Sequence, residues 1–194
     1  ALSTSSFTVA TLYKSTDTGR WNGRLFGNYF GVTLDYNSGW GPQAYGVVYD
    51  SANAYFVGFP GPPDQGAVAD PRGITTDGQW HWQILVLDRA TGTLAQYVDS
   101  NLIETVEVGS LGSVYLSGLV LGASREGDQY GARQTAVDEL RIYNRSLSAT
   151  EVTQLVESVQ GINDGLVAYY PLNGNANDAS GNGKNGNPYG VSPT

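Results

Sequence analysis

Gln79-Trp-His-Trp-Gln-Ile-Leu-Val-Leu-Asp88 runs into Arg89-Ala-Thr-Gly92 and then into Thr93-Leu-Ala-Gln-Tyr-Val98. The first stretch is aromatic and aliphatic, the kind of sequence that fills a pleated, buried surface. The second holds turn residues, and the third returns as a shorter strand, so the whole reads as a β-hairpin. Asp99-Ser-Asn101 then turns the chain again into a strand over 102–108.

The same rhythm of short apolar runs and turn residues extends in both directions. Ser6-Phe-Thr-Val-Ala-Thr-Leu-Tyr13 reads as a strand, and further strands are expected over 21–29, 31–36, 45–49, 54–59, 114–121 and 136–143. Residues 60–73 hold Pro60, Pro62, Pro63 and Pro71. Proline cannot donate to a ladder, so this stretch is a long loop. One helix is expected, over about 148–158. Ser148-Ala-Thr-Glu151 has the spacing of a capping box. Val152, Leu155, Val156 and Val159 follow at helical spacing, and Gly161 ends the run. Many short strands with one helix predict an all-β fold, a two-sheet antiparallel jelly-roll sandwich.

With 194 residues the chain is long enough for a sizeable core without disulfides or zinc. It has no Cys and no Met, 26 Gly, 13 Tyr, and only 14% charged residues. A surface of Gly, Ser, Thr, Asn and Tyr without cysteine fits a secreted or cell-surface protein of a microbe, since animal extracellular modules usually carry disulfides. The absence of Met reads as a trimmed start at Ala1. A net charge of −8 leaves no basic stripe for phosphates, so nucleic acid is not an expected partner. No run of 18 apolar residues is present, and no membrane span is expected.

Asp77-Gly-Gln-Trp-His-Trp-Gln-Ile-Leu-Val-Leu-Asp88 with its return strand through Asp99, and Val137-Asp-Glu-Leu-Arg-Ile-Tyr-Asn-Arg-Ser-Leu-Ser-Ala-Thr-Glu-Val152, resemble motifs of the laminin-G-like, concanavalin A-like lectin and glucanase superfamily. With the Phe7 strand these cover residues 1–160, the body of the module. Gly165-Leu-Val-Ala-Tyr-Tyr-Pro-Leu-Asn-Gly-Asn-Ala-Asn-Asp-Ala-Ser-Gly-Asn-Gly-Lys-Asn-Gly186 resembles the family's opening motif, displaced to the far end of the chain, in the segment 161–194. Three readings follow: this segment begins a next module, it folds back to complete its own body, or its strand at 166–172 completes the sandwich of a second copy. The last would be driven by main-chain hydrogen bonds along an open edge and would build a filament.

The resemblance also implies a calcium ion, held by Asp178, the carbonyls near Gly181 and Gly183, and Asp138. Carboxylate and carbonyl oxygens are what calcium takes. For a glycan or cell-surface polysaccharide, the candidate groups are loop aromatics with polar neighbours: Trp21, Asp35, Tyr36, Asn37, Trp40, Tyr45 and Tyr130. Rings stack on the C–H faces of sugars while amides and carboxylates fix hydroxyls.

Catalysis is not expected. His81, the single histidine, has no nucleophile motif with it. Asp138-Glu139 are adjacent, whereas a glycosidase needs two carboxyl groups facing one bond. The expected function is extracellular carbohydrate recognition or adhesion. The alternative is a structural subunit assembled by strand exchange.

Overall fold

The computed structural model describes residues 4–17, 24–27, 32–35, 44–50, 53–58, 70–73, 75–114, 118–122, 134–158 and 161–188. In chain order the strands are β1 (Phe7–Ser15), β2 (Arg24–Gly27), β3 (Val32–Asp35), β4 (Tyr45–Tyr49), β5 (Ala54–Val57), β6 (Trp80–Asp88), β7 (Thr93–Val98), β8 (Asn101–Glu107), β9 (Val120–Leu121), β10 (Thr135–Tyr143) and β11 (Leu166–Tyr170). Helix α1 (Ala149–Glu157) sits between β10 and β11. The strands form two antiparallel sheets, one of order β11-β10-β1-β6-β7-β8 and one of order β5-β4-β3-β2-β9. No helix among the described residues is long and apolar enough to cross a membrane, which says nothing of a membrane β-barrel.

Alternation along the strands decides which side chains meet. Phe7, Val9 and Tyr13 of β1, Leu85 and Leu87 of β6, and Leu94 of β7 join Leu25, Val32, Leu34 and Val48 of the second sheet in the main core. The opposite face of the six-stranded sheet carries Ala10, Trp82, Ile84, Val86 and Tyr143, and α1 packs there through Val152 and Leu155. Strand β6 is thus buried on both faces over its second half, which is why its sequence is nearly continuous in apolar residues rather than alternating. Strand β7 keeps the one-sided pattern: Leu94, Gln96 and Val98 are buried, with Thr93, Ala95 and Tyr97 partly exposed between them.

Helix α1 starts where the capping box placed it. The Ser148 amide donates to Glu151 Oε2 at 2.9 Å, and the Glu151 amide donates to Ser148 Oγ at 3.3 Å. Burying Val152 and Leu155 contributes about 1.5–3 kcal/mol each.

One expectation changes. The strand expected over 114–121 is only Val120–Leu121 among the described residues, and Val114 is buried in a non-strand stretch. Its neighbour Leu111 is held by its contacts in the main core and its carbonyl accepts from Arg89 Nη1 at 2.5 Å, so side-chain burial and an arginine replace ladder bonds there. The run 21–29 is a strand at Arg24–Gly27, with Trp21 outside the described residues. Strand β11, at the displaced end of the chain, pairs antiparallel with β10 of the same chain, with Leu140 opposite Tyr170 and Ile142 opposite Ala168.

Ser148→Ala removes the acceptor at the first turn of α1 and is expected to destabilise the fold by about 1 kcal/mol. Urea midpoints read this directly, and equal midpoints for the two proteins would show that the box contributes nothing.

Candidate functional site

On the face of the six-stranded sheet that carries α1, the helix covers only the half around Ala10, Ile84 and Val86. Trp80, in step with Trp82, Ile84 and Val86, lies beyond it at the other end of β6 and is 44% exposed. Lys14 is its cross-strand partner on β1, with Nζ 5.2 Å from the ring centroid. Such a contact contributes about 0.5–1 kcal/mol at an exposed site and holds the indole in place. On the same face Trp82 is buried and Leu12 and Tyr97 are half-buried, and Leu102 of β8, opposite Tyr97, is 42% exposed.

Tyr97 also lines an open groove of about 360 Å³ between β6–β8 and the start of α1, with Asp88, Thr93, Thr105, Ser148 and Glu151 around it. Burial pushes the Tyr97 phenol up from its ordinary value, so it stays a neutral donor and acceptor. The face thus offers a projecting indole at one end and hydroxyls and carboxylates at the other. Ile84 lies opposite Tyr97, so Trp80 is about 13 Å further along the strand.

His81 points away from both tryptophans and ties two turns together. Its Nε2 lies 3.0 Å from Asp77 Oδ1 and its Nδ1 3.1 Å from Asp99 Oδ2. Asp77 also accepts from the Gln79 amide at 2.8 Å, and Asp99 from the Trp82 amide at 2.9 Å. The imidazole therefore fixes the backbone on either side of Trp80. Burial pushes the His81 pKa down, but the bonds to Asp99 and Asp77 outweigh it and raise the value.

Of the expected ligand residues, Asp35 and Tyr45 fall elsewhere. Asp35 is fully buried and Tyr45 is 2% exposed, so neither side chain faces a glycan. They sit between the sheets, where Gln83 Nε2 donates to the carbonyls of Asp35 (3.1 Å) and Tyr45 (2.9 Å). They face each other at the end of the β3–β4 pairing, within a buried hydrogen-bond belt. Trp21, Tyr36, Asn37, Trp40 and Tyr130 lie outside the described residues.

The expected calcium residues come from β10 and from the loop after β11. Asp178 Oδ1 accepts from the amides of Tyr169 (3.0 Å) and Ser180 (2.9 Å), and Oδ2 from the amide of Lys184 (2.8 Å). Partial burial works against the charged form, yet these amides hold the carboxyl down to about 2. Asp138 is the extra residue of a β-bulge on β10, between the partners of Leu12 and Tyr13 on β1. Asp178 caps the outer edge of β11, and Asp138 lies beyond Leu140, whose partner Tyr170 is the last residue of β11. No group of three or more His, Cys, Asp or Glu residues able to hold a metal occurs among the described residues. Amide donors answer the Asp178 charge here.

Trp80, Lys14, Tyr97 and Leu102 were not singled out from the sequence. The Trp80-Trp82-Ile84-Val86 alternation puts these side chains on one face, but only tertiary packing shows that α1 stops short of Trp80.

A single imidazole resonance reports His81. Because its folded value lies above the unfolded 6.5, its contribution to stability is fully present below that value and is lost as pH rises through the folded one. NMR titration is expected to give one transition above 6.5, lowered in Asp99→Asn. The stability gap between the parent and His81→Gln is expected to shrink as pH rises from about 6 to about 9. A transition at or below 6.5 would overturn this account of the clasp.

The model of a laminin G family, described as the concanavalin A-like lectin/glucanases superfamily, matches residues 1–153. No curated protein matches the chain in sequence. Among solved structures, a protein from Bacteroides ovatus, named provisionally for carbohydrate binding, matches with a TM-score of 0.64 at 20% identity, over 92% of this chain and 50% of that one. The binding domain of Paraclostridial Mosquitocidal Protein 1 matches at 0.59 and 15% identity, over 78% of this chain and 37% of that one. A heptameric SAP-like pentraxin from Limulus polyphemus matches at 0.56 and 16% identity, over 82% and 72%. The chain thus spans about half the length of the Bacteroides protein and less of the mosquitocidal one. These likenesses agree with the two-sheet architecture, and with a family match over most of its length the chain belongs to the concanavalin A-like lectin/glucanase superfamily.

Proposed function

We propose that this chain is a non-catalytic carbohydrate-binding module that works outside the cell or on its surface, and that the open half of the α1-bearing sheet face is its sugar platform. The observation that carries the reading is the exposed Trp80 ring, steadied by Lys14 and continued by Tyr97 into a polar groove. A flat indole stacks on the C–H face of a pyranose, and an extended oligosaccharide running on along β6 would reach Asp88, Thr93, Thr105 and Ser148, whose polar groups select among sugars, about 26 Å from the ring. The provisional name of the Bacteroides neighbour and the binding-domain title of the mosquitocidal one lean the same way.

Hydrolysis is disfavoured by what happens to the acid pair. Glu139 is ion-paired to Arg141 Nη2 at 2.9 Å. The Asp138 bulge leaves no facing partner for it.

A glycan array followed by Trp fluorescence titration of the best hit tests the proposal. Trp80→Ala is expected to weaken binding at least about tenfold while costing only about 1 kcal/mol of stability, the lost contact with Lys14, since the ring is half-exposed and its loss leaves no cavity. Thr105→Ala is expected to change the ranking of sugars more than the strength of the best one. Binding undiminished by Trp80→Ala would move the site off this face.

A further inference from the structure

Strand β11 is read by two arginines of the body. Arg141, on β10, is 3% exposed and paired with Glu139. Its guanidinium carbon lies 4.3 Å from the centroid of the Tyr169 ring. Its other side lies against Gly161, where an added Cβ would overlap Nη1. Arg145, just past the end of β10, donates from Nε to the Asp164 carbonyl at 3.0 Å and meets the Asp164 carboxylate at 3.0 Å. It covers Gly165, where a Cβ would come within 2.9 Å of Cγ. Glu151, its carboxyl held down to about 2 by the bond from Arg145 Nη2, fixes that arginine at 2.7 Å. Both glycines also have positive φ, 63° and 74°, so a side chain there meets strain as well as the arginine. Four positions of the segment are therefore specified by two side chains of the body.

The segment brings its own cover. Asn182 Nδ2 donates to the carbonyls of Leu166 and Val167 at 3.1 Å, and the Ala179 amide donates to the Tyr169 carbonyl at 2.7 Å. Asp178 takes the Tyr169 amide. The outer edge of β11 is thus satisfied by residues 178–182 of the same segment, while its inner edge pairs with β10 and Ala168 enters the main core.

We propose that the outer side of β10 is a sequence-reading dock for a strand of pattern Gly-x-x-Asp-Gly-x-x-x-Tyr, filled here by residues 161–169, and that a second copy of the chain can supply the same segment in exchange. Residues 161–182 carry the recognition points, the core contact and the edge cover together, so a swap between copies keeps each of these contacts. This stands apart from the glycan reading, which concerns a different part of the sheet.

The test uses the full chain with a protease recognition sequence inserted between Ser158 and Gly161, cut after folding. The cut segment is expected to stay with the body on size exclusion. An isotope-labelled peptide of residues 161–188, added in excess, is expected to replace it over time, read by native mass spectrometry. Peptides carrying Tyr169→Ala or Gly165→Ala are expected to compete at least about tenfold less well. Tyr169→Phe, which keeps the ring over Arg141, should compete like the parent. The substitutions sit in the peptide, so the body's folding is untouched by them. Immediate loss of the cut segment, failure of the labelled peptide to enter, or equal competition by the variants would each overturn the proposal.

Discussion

The sandwich depends on β1 being gripped from both sides by strands distant in sequence. Its Thr8 lies opposite Tyr143 on one side and Val86 on the other. The buried hydroxyls along it reinforce the pairing. Thr8 Oγ1 donates to the Arg145 carbonyl at 2.9 Å and accepts from the Leu147 amide at 3.0 Å, bonding the turn that leads into α1. Thr11 Oγ1 donates to the Glu139 carbonyl at 2.9 Å, and Tyr13 OH meets Thr75 Oγ1 beside the turn before β6. Small β-branched hydroxyl residues suit this place: they keep strand geometry and satisfy backbone groups that water cannot reach. Such long-range pairing has to be complete before it is rewarded, which makes for slow, cooperative folding. Once formed, it gives a stiff sheet on which a surface ring such as Trp80 keeps a fixed position.

The fold was legible because its signals are local. The hairpin 79–98 declared itself through two runs around Arg89-Ala-Thr-Gly92, and the capping box set the start of α1 to the residue. What could not be read was mostly tertiary. Val114 looks like a strand residue because it is apolar and buried, and the core takes it without a ladder. Asp35 and Tyr45 sit at the ends of their expected strands, where neighbouring polar and aromatic residues made them look available to a ligand. The deciding fact is the buried Gln83, a polar residue in the middle of an apolar strand, which donates to both their carbonyls.

The candidate site was hidden for a related reason. An aromatic residue on a strand is ordinarily core, so Trp80 read as core. Its exposure comes from a length mismatch: β6 has nine residues, and α1, also of nine, crosses the sheet around Ile84 and Val86 and leaves the end of the strand bare. A ring left out of the core costs hydrophobic stabilisation of about 1.5–3 kcal/mol. Lys14 recovers part of that, and His81 holds the adjoining turns. An arrangement that gives up burial and then braces the exposed ring is better suited to a partner than to stability alone.

The two edges of the six-stranded sheet are closed by different means. At β8, Glu104 and Glu107 line the rim, and the Glu104 carboxylate accepts from the Gly58 amide at 2.7 Å, reaching across to the neighbouring sheet. Charge along an edge repels an incoming strand and discourages stacking of copies. At β11 the cover is the polar loop of the same segment, which satisfies the edge without repelling anything. Simple strand addition to this sheet is therefore discouraged at both edges, and in the exchange proposed above β11 would move together with its cover. Trp80 lies on β6, with β1 and β10 between it and β11. Its surroundings are the same whichever copy fills the dock, so association through β11 and recognition through the indole can operate on one molecule without competing for surface.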